Sequence, residues 1–160
     1  MPADGPGQRR LRESPPLPIE RNGFSHYNAA TTVSISDSIF HAVSHPSRYT
    51  GNEWNAMAGR WDSATLRIAL CFPDVYEVGM SNLALPILCD ILNSTPGVLA
   101  ERVFAPWADM ERELRTRGLR LFSLETRHNL SEFDVIAFSL GYELTYTNVL
   151  NVLDLGGIPP

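Results

Sequence analysis

The stretch 73–82, which reads PDVYEVGMSN, contains the residues of this chain that are best suited to chemistry. They include Asp74, Tyr76, Glu77, Gly79 and Ser81. Carboxylates can exchange protons with a ligand, a glycine lets the backbone approach one closely, and the free N–H groups at a helix start favour anions. Asp74 and Glu77 therefore have two interpretations. They are an acid/base pair or, as we favour, carboxylates that stabilise the start of a helix.

An apolar strand precedes this cluster and a helix follows it. Leu66–Phe72 is apolar except for Arg67, which is typical of a strand covered on both faces, and Pro73 ends it. Ser81 is a candidate N-cap, and Pro86 inside the helix implies that the helix either kinks or begins later than Ser81. The apolar stripe of this helix is predicted to contain Ala84, Ile87, Leu88, Ile91 and Leu92.

Strands and helices alternate along the rest of the chain. Further strands are predicted at Val98–Ala105, Leu119–Leu124 and Phe133–Leu140. One helix is expected within Trp107–Arg117, burying Met110 and Leu114 and ending at Gly118, and a last one begins near Tyr142 to Thr145. Its predicted apolar face contains Tyr146, Val149, Leu150 and Leu153. This alternation predicts an α/β fold: a Rossmann/flavodoxin-like parallel sheet with helices on both faces, incomplete at about four strands.

Residues 1–45 are predicted to be a disordered or loosely ordered N-terminal segment, and residues 46–160 the partial folded domain. Five prolines and no apolar periodicity over 1–22 predict disorder there. Residues 23–45 form either a short strand or a docked arm. The candidate anchors of that arm are Val33, Ile35, Ile39, Phe40 and Val43.

Composition excludes several classes of protein. A chain of 160 residues predicts one core, and a net charge of −5 gives no electrostatic basis for nucleic-acid binding. No apolar run approaches the roughly 18 residues of a membrane span. Two cysteines without C-x-x-C spacing favour a reducing, cytoplasmic location, and the four histidines show no metal-ligand spacing. Neither G-x-G-x-x-G nor a P-loop motif occurs.

The loops that follow parallel strands gather at one edge of a sheet, which is therefore the predicted binding edge. The loop after the predicted third strand, Leu119–Leu124, presents Glu125, Thr126, Arg127 and His128. The loop at the end of the predicted fourth strand, Phe133–Leu140, presents Ser139, Gly141, Tyr142 and Glu143.

Four longer stretches carry a family resemblance: RYTGNEWN, PDVYEVGMSNLALPIL, AERVFAPWADME and SLETRHNLSEFDVIAFSLGYELTYTNVLNVLDLGGIP. From about His45 to Pro160 the chain resembles the N-terminal region of cobalamin-binding-domain radical SAM proteins. Domains of this kind often carry D-x-H-x-x-G, whose histidine binds cobalt. Here Asp74 to Gly79 has that spacing with Tyr76 at the histidine position, so the resemblance implies that Tyr76 shields the lower face of cobalamin without coordinating cobalt.

The resemblance also implies that Ser139 lines the pocket for the nucleotide tail of the cofactor, with Gly141 and Tyr142 beside it. The usual S-x-L is replaced by Ser139-Leu140-Gly141, and Gly156-Gly157 at a helix end is not the Gly-Gly pair of the family's later strand. Because Tyr76 stands at the position of the cobalt-binding histidine, the resemblance implies cobalamin binding without protein histidine ligation.

Radical SAM chemistry requires three cysteine thiolates, typically C-x-x-x-C-x-x-C, to hold a [4Fe–4S] cluster. Cys71 and Cys89 do not form this motif. The resemblance thus implies that the cluster and S-adenosylmethionine belong to a downstream domain, and that this chain is not catalytic by itself. Its expected partner is that radical SAM domain or another chain.

Two further interpretations remain open. One is a protein-interaction module that self-associates or pairs with a partner through an open sheet edge. The other is a flavodoxin-like domain that binds a small molecule such as flavin, which rests on the fold alone.

Overall fold

The computed structural model of the chain describes residues 37–51, 53 and 61–159. They contain three strands, β1 (Leu66–Phe72), β2 (Val98–Phe104) and β3 (Val135–Phe138). Their four α-helices are α1 (Tyr76–Met80), α2 (Ala84–Asn93), α3 (Ala108–Arg117) and α4 (Tyr146–Gly156). Short 3₁₀-helices lie at Asp37–Ile39, Pro46–Tyr49, Trp61–Ser63, Leu130–Glu132 and Glu143–Thr145.

The sheet is parallel throughout, with the strand order β2-β1-β3. The central strand β1 aligns Ile68 with Ala100 of β2 and with Val135 of β3. Its last five residues are buried, as the apolar sequence of this strand requires. The predicted α/β fold is therefore confirmed, and β1 has the bounds predicted from the sequence.

Side chains alternate between the two faces of the sheet, and each face has its own helices. Ala69 and Cys71 of β1 point to the α3/α4 face, where Met110, Leu114 and Val152 are buried. Ile68 and Leu70 point to the opposite face, which we call the α2 face because Leu85 of α2 is buried on it. Helices thus cover both faces, and the sheet is the middle of three layers.

The predicted strand Leu119–Leu124 is wrong, so the described sheet has three strands rather than about four. The segment makes one isolated bridge, between Phe122 and Asn129. Its backbone donors find separate acceptors: the Leu121 N–H bonds to the Leu155 carbonyl at the end of α4 (2.9 Å), and the Leu124 N–H to the Arg102 carbonyl (2.8 Å). No ladder with β2 forms because these donors are used in different directions.

The helix that contains Pro86 begins later than Ser81, which is one of the two expected outcomes. Helix α1 ends at Met80, Ser81 is its C-cap, and α2 begins at Ala84. Pro86 then lies in the first turn of α2, where a missing N–H removes no intrahelical bond. The predicted N-cap role of Ser81 is therefore wrong.

The predicted apolar stripe of α2 is wrong at every position except Leu92. Leu85 is buried, and Cys89 and Leu92 are half-buried on the same side. The predicted core residues Ile87, Leu88 and Ile91 are exposed, as is Ala84. The helix reads ALPILCDILN, so apolar residues occur on nearly every side and periodicity could not select the one that faces the sheet.

The two helices of the α3/α4 face test the remaining predictions. Met110 and Leu114 of α3 are buried and Gly118 caps the helix at φ 63°, as predicted. In α4 the buried side chains are Val152 and Leu155. Of the predicted face, Val149 and Leu153 are half-buried, whereas Tyr146 and Leu150 are exposed. The helix lies with Gly156 against Leu130, a close approach that a larger residue would prevent.

The segment before β1 packs on the α3/α4 face where it is described. Ile39 and Val43 are buried in that core, and Phe40 lies against it, which confirms the docked arm for these anchors. The prediction of disorder for residues 1–22 and the anchors Val33 and Ile35 fall outside the described residues. Across the described ranges, no helix is long and apolar enough to cross a membrane.

Gly79 allows α1 to approach the sheet. It is buried, and a β-carbon at this position would overlap the Phe104 ring and come within 3.2 Å of Phe72. Gly141, in contrast, has an exposed position with nothing within 4 Å of such an atom. The two glycines therefore differ in the space that surrounds them.

We expect Gly79→Ala to lower the free energy of unfolding by about 1–3 kcal/mol, the usual cost of overpacking a core. Gly141→Ala is the matched control and should change stability by less than about 0.5 kcal/mol. Urea unfolding followed by circular dichroism measures both. Equal stability of the two variants would show that α1 moves freely away from Phe104.

Candidate functional site

The loops after β1 and β3 meet at the carboxyl edge of the sheet. The Tyr142 hydroxyl donates to Asp74 Oδ2 over a long 3.4 Å, and Asn148 Nδ2 donates to the Pro73 carbonyl at 2.9 Å. The Ser139 N–H bonds to the Cys71 carbonyl at 2.9 Å, which continues the pairing of β3 with β1. Because β2 and β3 lie on opposite sides of β1, this is the topological switch point where open α/β sheets bind ligands.

Four of the predicted site residues therefore lie in one region: Asp74, Ser139, Gly141 and Tyr142. The β3 loop also exposes apolar side chains, namely Leu140, Tyr142 and Leu144, which we call the β3 loop surface. An aromatic ring and two aliphatic side chains next to a carboxylate suit a ligand with both apolar and polar parts.

Tyr76 and Glu77 lie instead against the segment that precedes β1, whose described residues 37–51 and 53 we call the N-terminal arm. The Tyr76 hydroxyl donates to Glu53 Oε1 at 2.5 Å, and its ring packs edge-on against Phe104 with centroids 5.4 Å apart. Burial and the bond to Glu53 raise the pKa of Tyr76 to about 12. Glu77 pairs with Arg48 at 2.7 Å. Asp74 thus contacts the loop after β3, whereas Tyr76 and Glu77 contact the arm.

Gly79 and Ser81, the other predicted site residues, have local roles. Gly79 accommodates Phe104, as described above. The Ser81 hydroxyl donates to the Glu77 carbonyl at 2.6 Å, one turn back in the chain. Both therefore serve the packing and termination of α1.

The arm covers the β2 side of the carboxyl edge. Tyr49 accepts a bond from the Trp107 N–H at 3.1 Å, and the Arg48 guanidinium lies 5.3 Å from the centroid of the Trp107 ring. Asp109, at the start of α3, accepts bonds from both the backbone and the hydroxyl of Ser44. Beneath the arm, Tyr49, Phe104 and Leu124 help to line a cavity of about 20 Å³, which suits one water molecule rather than a cofactor.

A buried ion-pair cluster, which the sequence reasoning missed, holds the arm to β2. Arg102 Nε donates to Glu125 at 2.6 Å, and Arg102 Nη2 lies 2.7 Å from Glu53 of the arm. The Arg102 backbone N–H also donates to Glu125, at 2.8 Å. The signal in the sequence is Arg102 itself. It is the one charged residue among the four side chains of β2 (VLAERVF) that point to the α2 face, the others being Val98, Ala100 and Phe104. Its acidic partners lie too far along the chain to be identified without a structure.

The predicted third binding loop is turned inward at Glu125, Thr126 and His128. Fully buried Glu101 accepts a hydrogen bond from the Thr126 hydroxyl, whose oxygen lies 2.7 and 2.8 Å from the two carboxylate oxygens. The same Thr126 oxygen lies 2.6 Å from His128 Nδ1. Since the hydroxyl has one proton and Glu101 accepts it, His128 Nδ1 must be the donor to Thr126.

The ring of His128 stacks on Trp61, with centroids 3.6 Å apart and an angle of 5° between the planes. Burial lowers the pKa of His128, although Glu101 opposes this shift. A neutral imidazole that packs on an indole and bonds to a threonine stabilises the fold. His128 is therefore a core residue and not part of the binding edge.

The described residues contain no group of three or more His, Cys, Asp or Glu side chains that could hold a metal ion. Cys71 is buried and Cys89 is half-buried, and neither forms a disulfide. Burial raises the pKa of Cys89 to about 11 and that of Cys71 still further. Both therefore remain protonated thiols at neutral pH, as expected for cysteines that pack as small apolar residues.

A protein-family model matches the part of the chain that contains α2 to α4. Residues 84–160 match the family described as "Radical SAM proteins, N-terminal". Over these 77 residues the chain is similar to the N-terminal region of radical SAM proteins; the matched range includes Ser139, Gly141 and Tyr142, whereas Asp74 to Gly79 lie outside it. Comparisons with curated proteins and with solved structures gave no match.

The ion-pair cluster of Arg102, Glu125 and Glu53 has a consequence for the pH dependence of stability. Burial outweighs the effect of Arg102 and raises the pKa of Glu125 to about 7, from an ordinary value of 4.5. Between these values the folded state holds a proton that the unfolded state releases. The contribution of Glu125 to stability is therefore present at low pH and decreases as pH rises through about 7.

We expect the free energy of unfolding of the wild type, relative to Glu125→Gln, to fall between pH of about 5 and about 8, by about 1.4 kcal/mol for each unit of pKa shift. Urea unfolding at several pH values measures this difference. Glu77→Gln is the control: Arg48 lowers the pKa of Glu77, so its contribution is lost on acidification below this range. A wild-type to Glu125→Gln difference that is constant or rises with pH would contradict the assignment.

Proposed function

We propose that this chain is a cofactor-binding domain of a radical SAM protein and that it binds a corrinoid such as cobalamin between the loops after β1 and β3. The observation that carries the proposal is the meeting of Asp74 and Tyr142 at the switch point of a parallel sheet. The family match over residues 84–160 supports the radical SAM context. The D-x-Y-x-x-G spacing at Asp74 is the feature that favours cobalamin as the ligand.

The residues of this region fit a corrinoid that receives no cobalt ligand from the protein. Tyr76 stands where related domains have histidine, yet its hydroxyl is bonded to Glu53 and its pKa of about 12 leaves almost no phenolate at neutral pH. The β3 loop surface offers apolar contacts for the edge of the corrin ring, and Asp74 offers an acceptor for its amide side chains. When bound, cobalamin would supply a redox-active cobalt ion.

The proposed role of the chain is binding rather than radical generation. A [4Fe–4S] cluster requires thiolate ligands, and the two cysteines of this sequence are too few for the three-cysteine motif. We therefore propose that the cluster and S-adenosylmethionine are held by a partner domain. In this arrangement Asp74, Ser139, Gly141 and Tyr142 hold and orient the corrinoid for chemistry that occurs in the partner.

Titration of the full chain with hydroxocobalamin tests this function. We expect saturable binding by equilibrium dialysis and a rise in melting temperature, because a ligand that binds the folded state stabilises it. Tyr142→Ala should weaken binding about ten-fold, corresponding to roughly 1.4 kcal/mol. Tyr146→Ala is the matched control, since the two tyrosines are similarly exposed, at 51% and 59%, but Tyr146 has no bond to the β1 loop.

The cobalt coordination is tested by electron paramagnetic resonance of the reduced Co(II) complex and by its absorption spectrum. We expect no nitrogen coupling from a protein ligand and no phenolate band, and Tyr76→Phe should leave both spectra unchanged. Failure of the wild type to bind hydroxocobalamin would overturn the corrinoid proposal for this chain. A spectrum that changes in Tyr76→Phe would instead contradict the proposal that the protein provides no ligand to cobalt.

A further inference from the structure

The two outer edges of the sheet differ in how their backbone groups are used. In β2 the N–H and C=O groups of Ala100 and Arg102 point away from β1, because the residues between them bond to β1. The side chain of Asn93 accepts the Ala100 N–H and donates to the Ala100 carbonyl, both at 2.9 Å. At Arg102 the N–H donates to Glu125 and the carbonyl accepts the Leu124 N–H, both at 2.8 Å. The middle of the β2 edge is therefore closed to another strand.

The outer edge of β3 is open. The Ser139 N–H bonds to the Cys71 carbonyl of β1, so the odd-numbered residues of β3 direct their backbone groups toward β1 in this parallel pair. The N–H and C=O groups of Ile136 and Phe138 consequently point outward. No described residue bonds to these outward groups, and β3 is the last strand on its side of the described sheet. An edge of this kind is a template for another extended strand.

Helix α4 has an apolar side that faces away from α3. Asn151 and Asp154 of α4 accept bonds from Arg115 of α3, and Val152 and Leu155 are buried toward the sheet. Helical periodicity then places a different set of residues on the side opposite α3. These are Tyr146, Val149, Leu150 and Leu153. Tyr146 and Leu150, one turn apart, are 59% and 58% exposed.

The contacts of α3 show that this apolar side of α4 lies next to the open edge. On one flank of α3, Asp109 accepts bonds from Ser44 of the arm. The same arm reaches Arg102 of β2 through Glu53, so the arm lies on the β2 side of α3. The opposite flank of α3 contacts α4 through Arg115. Helix α4 is therefore on the β3 side, and its flank away from α3 borders the outer edge of β3.

The edge and the helix flank together carry almost no charge. We call the outward backbone groups of Ile136 and Phe138, with the side chains of Tyr146 and Leu150, the β3/α4 edge surface. From residue 135 to residue 153 the only charged residue is Glu143, which lies in the loop after β3. A second copy of this surface therefore meets no like charge on the strand or the helix flank, whereas a strongly charged partner finds no complement there.

We propose that the β3/α4 edge surface pairs with the same surface of a second copy of this chain. A two-fold axis perpendicular to the sheet makes the two β3 strands antiparallel and joins the two sheets into one. Ile136 then lies opposite Phe138 of the second copy, and the outward groups form about four backbone hydrogen bonds across the axis. Tyr146 and Leu150 of the two copies face each other on the α3/α4 face of the joined sheet.

The closed β2 edge limits this assembly to two copies. Pairing at β3 leaves the β2 strands as the outer edges of the joined sheet, and their central backbone groups are already bonded. The contact is therefore closed rather than the start of a fibre. This inference does not depend on corrinoid binding, because the proposed ligand lies between the β1 and β3 loops and the dimer uses the outer edge of β3.

Sedimentation velocity of the full chain at increasing concentration tests for the dimer, and we expect a reversible monomer–dimer equilibrium. Amide hydrogen exchange measured by NMR locates the contact. Exchange at Ile136 and Phe138 should slow at least ten-fold as the dimer forms, because their N–H groups become bonded. The Ala137 N–H points toward β1 in both states and should change much less.

Two pairs of variants separate backbone pairing from apolar contact. Ile136→Pro should weaken dimerisation at least ten-fold relative to Ile136→Ala, because both remove the isoleucine side chain but only proline removes the outward N–H. Proline is compatible with an edge strand at a position whose N–H faces outward. Leu150→Gln should also weaken dimerisation about ten-fold, corresponding to roughly 1.4 kcal/mol. Its matched control is Ile87→Gln, since the two side chains are similarly exposed, at 58% and 56%, but Ile87 lies on α2.

The proposal is overturned if the chain sediments as a monomer up to about 0.5 mM, a concentration at which even a weak dimer is populated. It is also overturned if Ile136→Pro dimerises as well as Ile136→Ala, or Leu150→Gln as well as Ile87→Gln. A dimer in which the Ile136 and Phe138 amides exchange as fast as in the monomer would place the contact elsewhere. Assemblies larger than two copies would contradict the closed β2 edge. Circular dichroism checks that each variant folds, and if Ile136→Pro does not, Leu150→Gln and the amide exchange decide.

Discussion

The burial of β1 is the constraint on which the rest of the structure depends. This strand has neighbours on both edges and helices on both faces, so almost every side chain from Ile68 to Phe72 loses contact with water. Apolar burial of this kind is the main favourable contribution to folding. Because both neighbours are parallel to β1, the loops after β1 and β3 must lie at the same edge. The candidate site is thus a direct consequence of the way in which the core is formed.

A second constraint divides that edge into two parts. Arg102 is a charged side chain in the interior, and such a charge is costly to bury unless it is paired. Glu125 and Glu53 satisfy it from two directions, and Glu53 belongs to the arm. The arm is therefore held over β2, where the remaining cavity has room for one water. The β1–β3 side keeps the exposed apolar and polar groups that a ligand could use.

Sequence patterns predicted correctly those elements whose ends are set by residues next to them in the chain. The bounds of β1 follow from an apolar run that ends at Pro73, and the end of α3 follows from Gly118 in a left-handed conformation. Met110 and Leu114 were found because α3 is polar on its other sides. The sequence failed where the pattern was ambiguous, as in α2, which is apolar on most sides, and where donors were used by distant partners, as at Leu121.

The candidate site was predictable in position but not in composition. Strand alternation was sufficient to place Asp74 and Tyr142 at one edge, because parallel topology alone requires it. The same reasoning could not separate Asp74 from Tyr76, two positions later, since that separation depends on an acceptor from the arm. Neither could it show that Glu125 and His128 turn inward, because their partners Arg102 and Glu101 lie on another strand. Long-range polar pairing therefore sets the limit of what sequence patterns reveal here.

Tyr76 shows how a position in a motif can acquire a structural role. Its spacing from Asp74 and Gly79 is that of the histidine in the D-x-H-x-x-G motif, which the sequence resembles. In this chain the Tyr76 hydroxyl donates to the Glu53 carboxylate that also pairs with Arg102. A phenol keeps its proton at neutral pH and remains a reliable donor to that carboxylate, whereas an imidazole would change its charge near neutrality and alter the balance of the cluster. Tyrosine at position 76 therefore suits a loop whose second polar residue binds the arm, while Asp74 is the carboxylate that faces the β3 loop.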